Sequence, residues 1–198
     1  LFENIRLETS RLVIRPLTVR DLPQFHALLR DKEVLQYLPE DVMSREEARG
    51  ILSWLIGCYS KNTPERIIKF TVGVAQKENN ELIGWCGFGP LEFDPSEIEI
   101  YYGLSRHYWG RGLATEAAGA MMHYAFERVG LKRLVAVVRP ENRASVRVIE
   151  KLGLIYGKTV TGLPSDYAAY EGDFYYSLNR DQYRNPTGQR KPDWEGGY

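Results

Sequence analysis

The residues His107-Tyr108-Trp109-Gly110-Arg111-Gly112-Leu113-Ala114-Thr115 set two glycines directly ahead of a helical pattern. Glycine lets a backbone approach a ligand closely, and the first N–H groups of a helix have no intrahelical acceptor, so such a turn can hold an anion. The same Gly-x-Gly spacing also serves as a tight turn with no ligand. Two nucleotide readings fail at their defining residues. A Walker loop needs a Lys-Ser/Thr pair after its second glycine, and the dinucleotide fingerprint needs glycine where Thr115 stands. His26, His107 and His123, with Cys58 and Cys86, have no metal-ligand spacing, so no metal is expected.

The elements around this turn follow from periodicity. Residues 11–17 (RLVIRPL) read as a strand stopped by Pro16, and Thr18 with Asp21 starts a helix through Leu22, Phe25, Leu28 and Leu29. Ser44 and Glu47 have capping-box spacing ahead of the stripe Ala48, Ile51, Leu52, Leu55 and Ile56. Residues 67–75 and 81–88 are strand-like runs separated by Glu78-Asn79-Asn80, and EIEIYYGL at 97–104 alternates in its first half. After the glycine turn, a helical pattern covers 113–128 and a short apolar strand 131–139. Pro140 and Asn142 then open a helix ending at Lys151-Leu152-Gly153. Residues 154–161 and 173–178 supply two more strands, and the chain turns polar beyond Asn179. This order predicts an α/β (α+β) fold, a mixed sheet with helices on both faces.

Composition sets outer bounds. A chain of 198 residues is one domain, and 26 basic against 26 acidic residues leave no global field to draw it onto nucleic acid or an anionic membrane. Two cysteines permit one disulfide at most, which favours a reducing, cytoplasmic setting. No apolar run approaches the roughly 18 residues of a membrane span.

The stretch Glu99-Ile-Tyr-Tyr-Gly-Leu104, followed by Tyr-Trp-Gly-Arg-Gly-Leu-Ala-Thr-Glu-Ala, resembles the acetyl-CoA-binding motif of the GNAT family of N-acetyltransferases. Residues 141–153 (ENRASVRVIEKLG) resemble that family's next strand-to-helix segment. The opening LETSRLVIRPL at 7–17 is similar to the branch that includes the ribosomal-protein N-terminal acetyltransferases. The likeness covers residues 7–180 as a single domain and leaves 181–198 as a polar tail. It implies a mostly antiparallel central sheet splayed between the fourth and fifth strands, with acetyl-CoA in the cleft.

Under this resemblance, the N–H groups around Gly110, Arg111, Gly112, Leu113, Ala114 and Thr115 hold the pyrophosphate. His107 stands where the family usually has Gln or Arg. The backbone of Tyr102, Gly103 and Leu104 pairs with the pantetheine arm, and Asn142 contacts that arm unless it only caps its helix. Glu99 occupies the family's recurrent acidic position and is the expected base, with Glu97 on the same face as runner-up.

The proton donor is open. The tyrosine that many members carry seven residues after the asparagine is Ile149 here, and Ser145 matches the serine of the N-terminal-acetyltransferase branch. Tyr156, Tyr167 and Tyr170 are further donors. A thiol of pKa ~8.5, by analogy with cysteine, can also leave with little help. Glu92, Asp94, Glu97 and Glu99 suit a cationic amine, either a small molecule or a protein N-terminus, and Trp54, Trp85 and Trp109 are candidate pocket walls. The competing reading is a noncatalytic acyl-CoA-binding module; family members are monomers or homodimers.

Overall fold

The computed structural model describes residues 1–38 and 41–185. Eight strands form one sheet: β1 (Leu7–Glu8), β2 (Leu12–Arg15), β3 (Phe70–Gln76), β4 (Leu82–Leu91), β5 (Asp94–Leu104), β6 (Arg133–Val138), β7 (Ile155–Thr159) and β8 (Phe174–Asn179). Their spatial order is β1-β2-β3-β4-β5-β6-β8-β7. All neighbours are antiparallel except β5 and β6. The strands read at 97–104 and 131–139 are β5 and β6, one place later than in the sequence count because of the two-residue β1.

The split falls between these two strands. β4 and β5 stay paired from Leu91↔Asp94 to Gly84↔Leu104, and β6 pairs with β8 along its whole length. Between β5 and β6 the described residues make one pair, Glu99↔Val135. Beyond it the two strands diverge toward Leu104 and Val138, so the sheet opens like a fork at the end where both lead into helices.

Helices cover both faces of the sheet, whose central strands β3 and β4 are buried nearly throughout. On one face lie α4 (Leu113–His123) and α5 (Arg143–Lys151). Ala117, Met121, Met122 and Ile149 pack there with Ile14, Val72, Ile100 and Leu134. On the other face lie α1 (Leu22–Leu29) and α3 (Arg45–Cys58), whose Phe25, Leu52 and Leu55 close on Leu17 and Leu82. The short α2 (Lys32–Leu35) joins them. Burying a Leu or Phe side chain contributes roughly 1.5–3 kcal/mol, which makes these two layers the main source of stability.

The caps read in the sequence are present. Ser44 and Glu47 form a reciprocal box at the start of α3, and Asp21 closes back on Thr18. The helix expected over 113–128 is α-helical to His123 and then widens into a π-turn, Tyr124–Val129, ended by Gly130 at φ +84°. Phe2 and Ile5 belong to the main core. The first residues of the expected tail are helical, in α6 (Arg180–Arg184), tied by Arg184 to Glu127 at 2.6 Å. Positions 186–198 of that tail lie outside the described residues.

Candidate active site

The fork creates unpaired backbone. Ser105 donates its N–H to the Ile83 carbonyl, so residues 101, 103 and 105 bond toward β4 and the alternating Tyr102 and Leu104 direct their N–H and C=O groups into the split. The Leu104 carbonyl accepts the Trp109 indole N–H at 2.8 Å. Gly103 must be glycine, since a Cβ there would lie 2.5 Å from the Trp85 ring.

Past β5 the chain turns through Arg106–Tyr108, where His107 is exposed, to Gly110 at φ +73° and Gly112 at φ +76°. Both glycines occupy the left-handed region that other residues rarely enter. Glu116 N–H to the Gly112 carbonyl is the first bond of α4. Among the described residues, no acceptor takes the N–H groups of Gly110, Arg111, Gly112, Leu113, Ala114 or Thr115. This row of free donors at the positive end of a helix fits a diphosphate, and nothing lies within 4 Å of where a Gly110 Cβ would stand.

The other bank of the fork is the start of α5. Asn142 caps that helix by accepting the Ser145 N–H at 3.1 Å. The Ser145 carbonyl accepts the Tyr102 hydroxyl at 3.3 Å, so the Tyr102 side chain spans the split. Burial pushes the Tyr102 phenol far up, and it stays protonated. The Ser145 hydroxyl lies beside the Tyr102 phenol, whose pKa it lowers by a side-chain hydrogen bond against the larger effect of burial. Ile149 is buried in the main core.

Glu99 sits at the crotch. Its Oε1 accepts the Val137 N–H at 3.2 Å. Burial raises its pKa to about 7, against the opposing pull of the Val137 N–H and the Lys69 ammonium; Glu92 and Asp173 add to the rise. Glu97, the alternative base, is held by Arg133 at 3.2 Å. Of the four acids only Glu97 is paired with a cation among the described residues, and Glu92 and Asp94 are exposed and take neutral hydroxyls. Glu92 takes the Tyr170 hydroxyl at 2.8 Å, Asp94 takes the Ser96 hydroxyl at 2.5 Å, and Glu99 alone lies at the opening.

Of the other expected donors, Tyr156 is bonded to Thr159 on the edge strand β7. Trp109 is 44% exposed beside the glycine turn, Trp85 backs Gly103, and Trp54 points out from α3. Cys58 and Cys86 are both free and buried. Among the described residues no helix is long and apolar enough to cross a membrane.

Two residues that the sequence reading passed over belong to this region. Glu116, in the first turn of α4, is only 8% exposed and is gripped by the Thr9-Ser10-Arg11 turn. Asp173, at the start of β8, is 6% exposed, and its carboxylate accepts no hydrogen bond among the described residues. An acid on the Leu113, Ala117, Ala120 stripe was the available signal for Glu116; nothing local marked Asp173.

The mixed sheet is thus forked between its two parallel neighbours, with a glycine turn and a helix N-terminus at the mouth of the fork. Residues 11–155 match the family model described as Acetyltransferase (GNAT) domain, and the chain belongs to the GNAT acetyltransferase family. It is an N-acetyltransferase. It is 29% identical over 182 residues to the uncharacterized N-acetyltransferase p20 of Bacillus licheniformis, covering 89% of this chain and 97% of that protein. It is 30% identical over 140 residues to the spermidine N(1)-acetyltransferase of Escherichia coli K12, covering 71% and 70%. Among solved structures, a GNAT-family acetyltransferase from Bacillus anthracis superposes with a TM-score of 0.73 at 27% identity, covering 89% of this chain and 99% of that one.

Proposed function

We propose that the protein transfers the acetyl group of acetyl-CoA to a primary amine, a small molecule or a protein N-terminus, by direct attack within a ternary complex. The observation that carries this reading is the Glu99 carboxylate at the crotch of the fork, on the strand that leads into the row of unpaired N–H groups on the glycine turn. When bound, acetyl-CoA supplies a thioester whose acetyl group passes to the amine as the thiolate leaves.

The chain's own residues do the rest. The N–H groups of residues 110–115 bind the diphosphate, and Tyr102 and Leu104 offer backbone partners to the arm along the split. Asn142 and Ser145 border the arm from α5. An amine of pKa ~10 arrives mostly protonated, and Glu99, titrating near neutrality, is suited to take its proton. Ser145 offers a hydroxyl, next to the Tyr102 phenol, on the thiolate side. All of this lies within a single acetyltransferase domain that includes residues 7–180.

The relatives point to two acceptor classes, because one is named as a spermidine acetyltransferase and structural neighbours carry ribosomal-protein names. Thiol release from acetyl-CoA should therefore be measured against polyamines, small amines and peptides with free N-terminal alanine or serine. Turnover with at least one class is expected. Tight acetyl-CoA binding with every acceptor silent would favour the noncatalytic acyl-CoA-binding module instead.

A further inference from the structure

The glycine turn is held from behind by a residue nearly a hundred positions earlier in the chain. Arg11 leaves the turn between β1 and β2 and donates through Nη1 to the Arg111 carbonyl at 2.8 Å. Its Nε and Nη2 meet Glu116 Oε2 at 2.7 and 2.6 Å. Glu116 Oε1 is taken by the Arg11 N–H at 2.9 Å, the Thr9 hydroxyl at 2.6 Å and the Ser10 hydroxyl at 3.0 Å. One buried carboxylate therefore receives five donors from three consecutive residues and orients the guanidinium that grips the loop.

The geometry has a specific consequence for the loop. The Arg111 carbonyl and the Gly112 N–H belong to one planar trans peptide and point in opposite directions. That peptide joins Arg111 to Gly112, so it turns about the ψ of Arg111 and the φ of Gly112, which stands at +76° where glycine meets little steric resistance. Turned over, it would present a carbonyl oxygen to the anion in place of an N–H.

We propose that Arg11 is a positioning residue for donor binding: by holding the Arg111 carbonyl, it keeps the Gly112 N–H facing the diphosphate, and Glu116 fixes Arg11 in place. This rests on the acetyl-CoA reading above. Removing the guanidinium takes two of the five donors from Glu116 as well as the loop contact, while Thr9, Ser10 and the Arg11 N–H remain on the carboxylate.

The test compares acetyl-CoA with S-acetylpantetheine, which carries the arm and the thioester without the diphosphate. Each is titrated calorimetrically into wild type, Arg11→Met and Arg11→Lys. Loss of a hydrogen bond from a charged group predicts an acetyl-CoA affinity about ten- to a hundredfold weaker in Arg11→Met. S-acetylpantetheine affinity should be unchanged, and Arg11→Lys, which keeps one donor, should fall between. Should Arg11→Met not fold, Arg11→Lys carries the same comparison. Equal loss for both donors, or no loss for acetyl-CoA in a variant whose wild type binds it, overturns the inference. A wild type that binds S-acetylpantetheine and acetyl-CoA equally overturns the diphosphate reading and this inference with it.

Discussion

The Glu99 carboxylate accepts the Val137 N–H at 3.2 Å, two residues beyond the one position where the two strands pair. A ladder that continued would have used that N–H for the backbone of β5; the side chain takes it instead, at the point where the sheet opens. The same contact anchors the carboxylate and stabilises its charged form, while burial opposes the charge more strongly and leaves the pKa at about 7.

A pH–rate profile should carry this value. The base must be ionised to take a proton, so kcat/KM at saturating amine is expected to rise with pH through about 7 and level off above it. The rise should disappear from the profile of Glu99→Gln. A wild-type limb centred near 4.5 would contradict the raised pKa, and a limb near 7 that persists in Glu99→Gln would show that Glu99 is not the titrating group.

Asp173 gives a prediction about stability. Burial raises its pKa from 3.8 to about 6, with Arg139 opposing and Glu141 adding to the rise. The folded pKa lies above the unfolded one, so the folded state holds the proton more tightly. That contribution is fully present below about 3.8 and is lost as pH rises through about 6. The interval corresponds to on the order of 2–3 kcal/mol. Asp173→Asn should therefore raise the urea midpoint at pH 7.5 and converge with wild type near pH 4 (both approximate working conditions). A variant less stable than wild type at the higher pH would mean that the charged carboxylate is favourably held.

Ser145 is placed for a modest effect. Its hydroxyl lies at the Tyr102 phenol, while its carbonyl is held by Tyr102 and its N–H by Asn142. Removing the hydroxyl leaves both backbone contacts intact. Ser145→Ala is expected to lower kcat about tenfold with little change in KM for acetyl-CoA, the size of one lost hydrogen bond. Full retention of kcat would remove Ser145 from the reaction.

What the sequence disclosed was local. The glycine turn, the Asn142 cap and the Ser44–Glu47 box are each written within a few neighbouring residues, and periodicity was enough to lay out the strands on either side of the fork. The grip of Arg11 on Arg111 and the reach of Tyr102 to Ser145 join residues far apart in sequence, and no spacing rule encodes them. The cluster from Glu92 to Glu99 shows the converse. Four neighbouring acids look alike in sequence, yet Arg133 pairs with Glu97, the hydroxyls of Tyr170 and Ser96 bond to Glu92 and Asp94, and Glu99 lies at the opening.

The most direct test of the account is Glu99→Gln, examined for turnover and acetyl-CoA affinity in parallel. Glutamine preserves the shape and can still accept the Val137 N–H, so the fork should stay intact. The account predicts kcat lower by about 10²- to 10⁴-fold, the usual contribution of a positioned base, with acetyl-CoA affinity unchanged. Turnover within a few-fold of wild type would contradict it.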